Sequence, residues 1–301
     1  MRAIRIHSYG DPARLDEVPE PPPPGAGEVT VDVSAVGVGA WDLGVVSGRL
    51  SRLVPPERLP AVLGAEFAGR VRAVGSGVEG LIVGDRVMGN PGLTGAWAER
   101  LTVRATACGR APRGADDVHA AALPVSFLTA WQALDLLDLR PGADLLVLGA
   151  GGGVGAAVLQ MAQLSGIVVF ATARAVDLER IRGLGAAGAA ESAAELGVEA
   201  DAVLDLMGGE SLRRAFPFLR APGRVVSTLA DQDVTGAPPG ATVEFLRMRS
   251  DTATLEAIAS LVDEGRLSQP VETVYRFEDA GKALAVLREG SPPGKLVLRV
   301  G

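Results

Sequence analysis

The stretch Asp144 to Ser165, DLLVLGAGGGVGAAVLQMAQLS, holds the residue types and spacing best suited to chemistry. Leu145 to Leu148 is a short, unbroken apolar run, the pattern of a parallel strand covered on both faces. Gly149, Gly151, Gly152, Gly153 and Gly155 follow at once, and from Ala156 to Leu164 apolar residues recur at helical spacing. A strand, a glycine turn and a helix in that order make a seat for a pyrophosphate. Glycine allows the tight turn and a close backbone approach, and the helix N-terminus turns unpaired N–H groups toward the anion. Gly151, Gly152, Gly153, Val154 and Gly155 are therefore candidate dinucleotide ligands, with Ala150 where many such motifs carry their first glycine.

The next strand ends Thr172-Ala173-Arg174. Folds that select the unphosphorylated cofactor place an acid about 20 residues past the glycines, where it meets the ribose hydroxyls. Here the first acid is Asp177, which reads as the cap of a helix over 177–184. Arg174 can instead offer a planar, bidentate donor set to a 2′-phosphate, and Arg180, one turn into that helix, can reinforce it. Thr172, Ala173, Arg174 and Arg180 thus point to NADPH.

Two textures of chain must position these groups. Up to about residue 115, short strands alternate with Gly/Pro turns, as in a compact, barrel-like β domain. Asp116 to Leu139 is helical in pattern with a break at Pro124, and beyond the glycine turn strands alternate with helices. That alternation predicts a doubly wound parallel sheet. Strand-like segments at 269–276 and 295–300, flanking a helix over 278–289, suggest that the C-terminus rejoins the first domain. The expected division is 1–119, 120–248 and 249–301.

Composition narrows the function classes. The chain has 301 residues, 48% hydrophobic and 22% charged, which is that of a folded α/β protein with room for two cores. A net charge of −7 gives no support for nucleic acid as a partner, and no apolar run approaches the ~20 residues of a membrane span. Lys282 and Lys295 are the only lysines, which reads as compositional bias. No apolar signal core precedes residue 20, so the expected compartment is the cytoplasm. Cys108 is the only cysteine, and His7 and His119 are the only histidines, too few for cysteine-rich zinc sites or histidine-based metal chemistry.

Gly27-Glu28-Val29, Gly64-Ala65-Glu66, Gly84-Asp85-Arg86-Val87, Leu128-Thr129-Ala130-Trp131, the Ala150 to Gly155 turn, Gly208-Gly209 and Gly294-Lys295-Leu296-Val297-Leu298 occur in this order. By that order the chain resembles the medium-chain dehydrogenase/reductase superfamily, in its zinc-independent quinone oxidoreductase and enoyl reductase branch. The resemblance implies an α/β fold: a GroES-like, β-rich catalytic domain with an inserted Rossmann cofactor domain and an active site in the cleft between them. Zinc-dependent members carry a cysteine in the segment matching Gly37 to Asp42 and a histidine within that matching Gly64 to Glu66. Here these read GVGAWD and GAE, so no metal is expected.

The resemblance also implies roles. Thr129 would lie near the nicotinamide, and Thr228, Leu229 and Ala230 would pass beneath it. Asp205 and Met207 would close another edge, and Phe245 would line the pocket. Trp41, Asp42 and Leu50 lie in the segment that faces substrate, with Trp97 or Trp131 as further walls. Related enoyl-thioester reductases place a tyrosine near 39–42; none stands there, so the catalytic group is unassigned. The implied protein is a homodimer acting on a small, apolar, electrophilic quinone or enone. The rival reading is an NADPH-binding sensor or scaffold with little turnover.

Overall fold

Glu28–Val38, rich in β-branched residues, is the spine of the first of two units in the computed structural model, which describes residues 1–230, 233–290 and 292–301. This unit comprises Met1–Val125 and Arg249–Gly301. Its main sheet runs Val271–Arg276, Lys295–Arg299, Glu28–Val38, Phe67–Val74, Arg86–Gly89, Cys108–Arg110, with Arg100–Arg104 also paired to the spine. Lys295–Arg299 pairs antiparallel with the spine in the register Leu296 to Val38, which is how the C-terminal segment rejoins this unit. A smaller sheet places Arg2–Ile6 between Arg14–Glu17 and Ala61–Val62. Ile4, Val31, Val36, Phe67, Trp97 and Leu298 are wholly or almost wholly buried in the core.

Three features differ from expectation. The unit continues to Val125 rather than 119, because helix Asp117–Ala121 packs on Glu28–Val38 and Phe67–Val74. In sequence Gly64 to Val74 reads as one short strand, but the strand starts only at Phe67, since Gly64 takes a left-handed φ of 95°. Trp97 is core rather than pocket wall: it is fully buried and its indole N–H donates to the Gly37 carbonyl at 3.0 Å.

The second unit is Ser126–Met248. Its strands are β1 (Asp144–Leu148), β2 (Val168–Thr172), β3 (Gly188–Ala190), β4 (Ala200–Asp205), β5 (Leu219–Ser227) and β6 (Thr242–Phe245). They form one parallel sheet in the order β3-β2-β1-β4-β5-β6. This is the doubly wound order, and it reverses direction between β1 and β4, where such sheets open a crevice at their carboxyl ends. Among the described residues, no helix is long and apolar enough to cross a membrane.

Candidate functional site

The glycine turn lies at that reversal point. Gly149 has a φ of 81°, and a Cβ there would fall 2.6 Å from the Met207 Cγ, so the turns after β1 and β4 approach closely only because this residue is glycine. Thr172, ending β2, accepts the Gly149 N–H through its hydroxyl at 3.1 Å. Gly155 packs helix Gly153–Leu164 onto the turn: a Cβ there would stand 2.3 Å from the Ala150 carbonyl oxygen. Gly152 differs. It is the N-cap of that helix, its backbone is extended, and nothing lies within 4 Å of the place a Cβ would take. An open cap in front of unpaired N–H groups fits a pyrophosphate. Gly151, Gly153 and Val154 are half-buried beside it.

Beyond β2, Asp177 stands at the N-cap position of helix Leu178–Gly183 as expected, but its side chain makes no cap hydrogen bond. Its carboxylate is almost fully buried and takes Arg174 at 2.9 Å and Arg180 at 2.8 Å. The pair of arginines leaves the cluster one positive charge, and the acid that could have met ribose hydroxyls is engaged. Arg180 also donates to the Gly151 carbonyl at 2.6 Å, so it braces the glycine turn, and its buried Nε has no hydrogen-bond partner. Arg174 exposes half its side chain, next to the half-buried Ala173.

On the other side of the reversal, Asp205 ends β4 fully buried. One carboxylate oxygen accepts the N–H groups of Met207 and Gly208 at 3.0 and 2.7 Å, and the other accepts the Ser227 hydroxyl at 2.7 Å. The side chain therefore shapes two loops rather than facing a ligand. Thr228 is tied to the Asp205 carbonyl through both its N–H and its hydroxyl, and Leu229 donates its N–H to Ser227 Oγ. Met207, Ala230 and Phe245 are exposed at this edge, Phe245 beside Ser227 at the end of β6. Thr129 is buried on helix Pro124–Leu137, and Trp131 is half-buried there.

In the first unit, the segment named for substrate forms helix Ala40–Val46. Trp41 is half-buried and donates its indole N–H to the Leu93 carbonyl at 2.7 Å; Leu50 packs against Gly44. Asp42 is buried and accepts the N–H groups of Gly39 and Gly64 at 2.9 and 3.1 Å. Glu66, also buried, pairs with the Lys295 ammonium and accepts the Val125 N–H at 2.9 Å. The Glu66–Lys295 pair was missed in the sequence. Burial pushes the Asp42 carboxyl up to about 7, against the pull of its backbone donors and of Lys295. The folded chain thus holds this proton more tightly than the unfolded one. Its contribution to stability is full below the ordinary value of 3.8 and is lost as pH rises through about 7.

His119 is exposed beside Asp116, and burial pushes the Cys108 thiol up to about 12, too high for a thiolate nucleophile at neutral pH. Among the described residues no three His, Cys, Asp or Glu side chains are grouped to hold a metal ion.

These features agree with what the chain is similar to. The alcohol dehydrogenase GroES-like domain model matches residues 25–113, and the zinc-binding dehydrogenase model matches residues 186–298. A mycocerosic acid synthase-like polyketide synthase of Mycobacterium tuberculosis is 32% identical over 92% of this chain, which spans 14% of that protein's length. The solved structure of a quinone oxidoreductase from Coxiella burnetii is 26% identical with a TM-score of 0.91, covering 100% of this chain and 99% of that one. The structure of an NAD-dependent alcohol dehydrogenase is 31% identical with a TM-score of 0.85, both chains covered in full. With likeness of this extent in sequence and in fold, the chain belongs to the medium-chain dehydrogenase/reductase superfamily.

Proposed function

We propose that the chain is an NADPH-dependent reductase of quinones or activated C=C bonds that works without zinc. The observation that carries this reading is the occupation of the two segments where zinc-dependent relatives hold their metal. There the acids are already engaged, Glu66 with Lys295 and Asp42 with two backbone N–H groups, and no cysteine or histidine accompanies them. Oxidising an alcohol needs a base or a metal to take the hydroxyl proton, whereas a quinone or enone is electrophilic by its own electronics.

NADPH fits the residues present. Gly152 and the first turn of its helix would hold the pyrophosphate, Arg174 the 2′-phosphate, and the loops tied by Asp205 the nicotinamide end. When bound, the cofactor would supply a hydride. The chain's own part is to orient both reactants and exclude water, with Trp41 and Leu50 as apolar walls; after hydride transfer the quinone needs one proton, which it can take from solvent.

The test is a panel assay. NADPH should be consumed with small para-quinones or α,β-unsaturated ketones, and ethanol and secondary alcohols should give no reduction of NADP. Ready alcohol oxidation with no turnover of any quinone or enone would place the chain in another branch.

The two arginines make separable predictions. Arg174→Ala should weaken NADPH roughly 10- to 100-fold, the cost of one charge-assisted contact to phosphate, with NADH hardly changed. Arg180→Ala should weaken both cofactors alike, because it loosens the Gly151 carbonyl common to both. Fluorescence titrations with each cofactor read the difference; equal losses in Arg174→Ala would remove it as the phosphate ligand.

A further inference from the structure

We propose that Asp42 is a positioning residue for the wall of the acceptor pocket: one buried carboxylate ties the start of the Trp41 helix to the loop at Gly64. The inference deepens the reading above, since it takes Trp41 as a wall of that pocket.

The geometry is a two-ended clamp. One Asp42 oxygen accepts the Gly39 N–H at 2.9 Å and the other accepts the Gly64 N–H at 3.1 Å. The Gly64 end is fixed, because a Cβ there would collide with the Trp97 ring, and Trp97 is itself bonded to Gly37. The Gly39 end is not fixed by packing of its own: a Cβ there would meet only the Lys295 ammonium, at 3.6 Å. Helix Ala40–Val46 has no side-chain bond from its cap, so the Asp42 carboxylate is what holds its entry. Trp41, the next residue in line, has its indole N–H on the Leu93 carbonyl.

Charge determines how firmly the clamp closes. The groups facing Asp42 are Lys295, from the strand paired to the spine, and Glu66, from the loop before Phe67. From helix Ala280–Glu289, which packs on the Trp41 helix, Lys282 is exposed and paired with Asp279; Arg49 reaches the Ala40 carbonyl at 3.5 Å. Two carboxylates thus share one buried ammonium. Ionised, Asp42 has two full acceptors for its two N–H donors. Protonated, it turns one of those oxygens into a hydroxyl and a weaker acceptor, and one end of the clamp slackens. Burial places that change at about pH 7.

The consequence is that the wall is firmest when Asp42 is charged. KM for a bulky para-quinone should fall several-fold as pH rises through 7, while kcat for a small one shows no such step.

The test begins on the full chain with a glycine-selective ¹⁵N label and no cofactor. The Gly39 and Gly64 amide shifts should titrate together with a midpoint near 7. Asp42→Asn should abolish that titration and flatten the KM profile. Lys295→Met should move the midpoint upward, because the cation that favours ionised Asp42 is gone. Amides that stay flat across this range overturn the clamp whatever the activity. A KM profile unchanged in Asp42→Asn overturns the positioning role and leaves Asp42 merely structural. Amides that titrate in a protein reducing no quinone or enone would sink the functional reading and leave the clamp standing.

Discussion

Gly152→Asp should abolish cofactor binding while leaving the chain as stable as before, or slightly more so. The position is an extended N-cap with open space where the new side chain would go. Aspartate is among the favoured N-cap residues and gains about 0.3 kcal/mol over the glycine it replaces, and its charge also suits the positive end of the helix. In a unit of this size that corresponds to a rise in Tm of about 1–2 °C. The same carboxylate would sit where the phosphate charge must go, and would satisfy the N–H groups meant for it. NADPH affinity should drop by more than about 100-fold, the cost of setting like charges together at one anion seat. Fluorescence titration and a thermal scan of the same sample check both halves. Undiminished binding would mean that the pyrophosphate does not use this turn.

The two sides of that prediction show what could be read in advance. Alternation of strand and helix from Asp144 onward was legible because each β-strand of a covered parallel sheet must be apolar throughout, and the glycine turn stood out against it. What a glycine does there was less legible. Sequence alone offers close approach or backbone strain as reasons for Gly152, and the structure removes the second, since its backbone is extended. Gly149, Gly151 and Gly155 are the strained or crowded glycines described in the turn, for reasons that lie in Met207, Asp177 and Ala150.

Charge was the harder part. Asp177 reads as a helix cap from its place just before the helix, but Arg174 and Arg180, each only three residues away, take its carboxylate; sequence spacing alone allows either outcome. The resemblance puts Asp205 at an edge of the cofactor cleft, and in the structure both its oxygens are taken up by its own loops. Glu66 and Lys295 meet only because the last strand pairs with the spine, a register no local pattern encodes. One signal was present: Lys295 is one of two lysines in the chain and opens a strand whose next three residues, Leu296, Val297 and Leu298, are apolar. A cation at the head of a buried strand implies a buried acid to meet it.

Gly155→Val should damage the fold itself, in contrast to its neighbour three residues earlier. The added Cβ would lie 2.3 Å from the Ala150 carbonyl oxygen and 2.4 Å from the Ala150 Cα, and both are backbone, so no flexible side chain can swing away. Relief requires helix Gly153–Leu164 to lift from the turn after β1. That lift would open contacts made by Ala156, Ala157, Val158 and Leu159, all buried on the helix. Overpacking of a tight core contact costs about 1–3 kcal/mol, and a clash with backbone belongs at or above the upper end of that range. A destabilisation of about 3 kcal/mol or more should appear as a fall in the urea midpoint, and cofactor affinity should fall with it, because the N–H groups of the helix no longer face the turn. Gly155→Ala should move in the same direction by less. If Gly155→Val unfolds at the wild-type urea concentration, the helix does not depend on this contact, and the glycine turn owes its shape to Gly149 and the Thr172 hydroxyl instead.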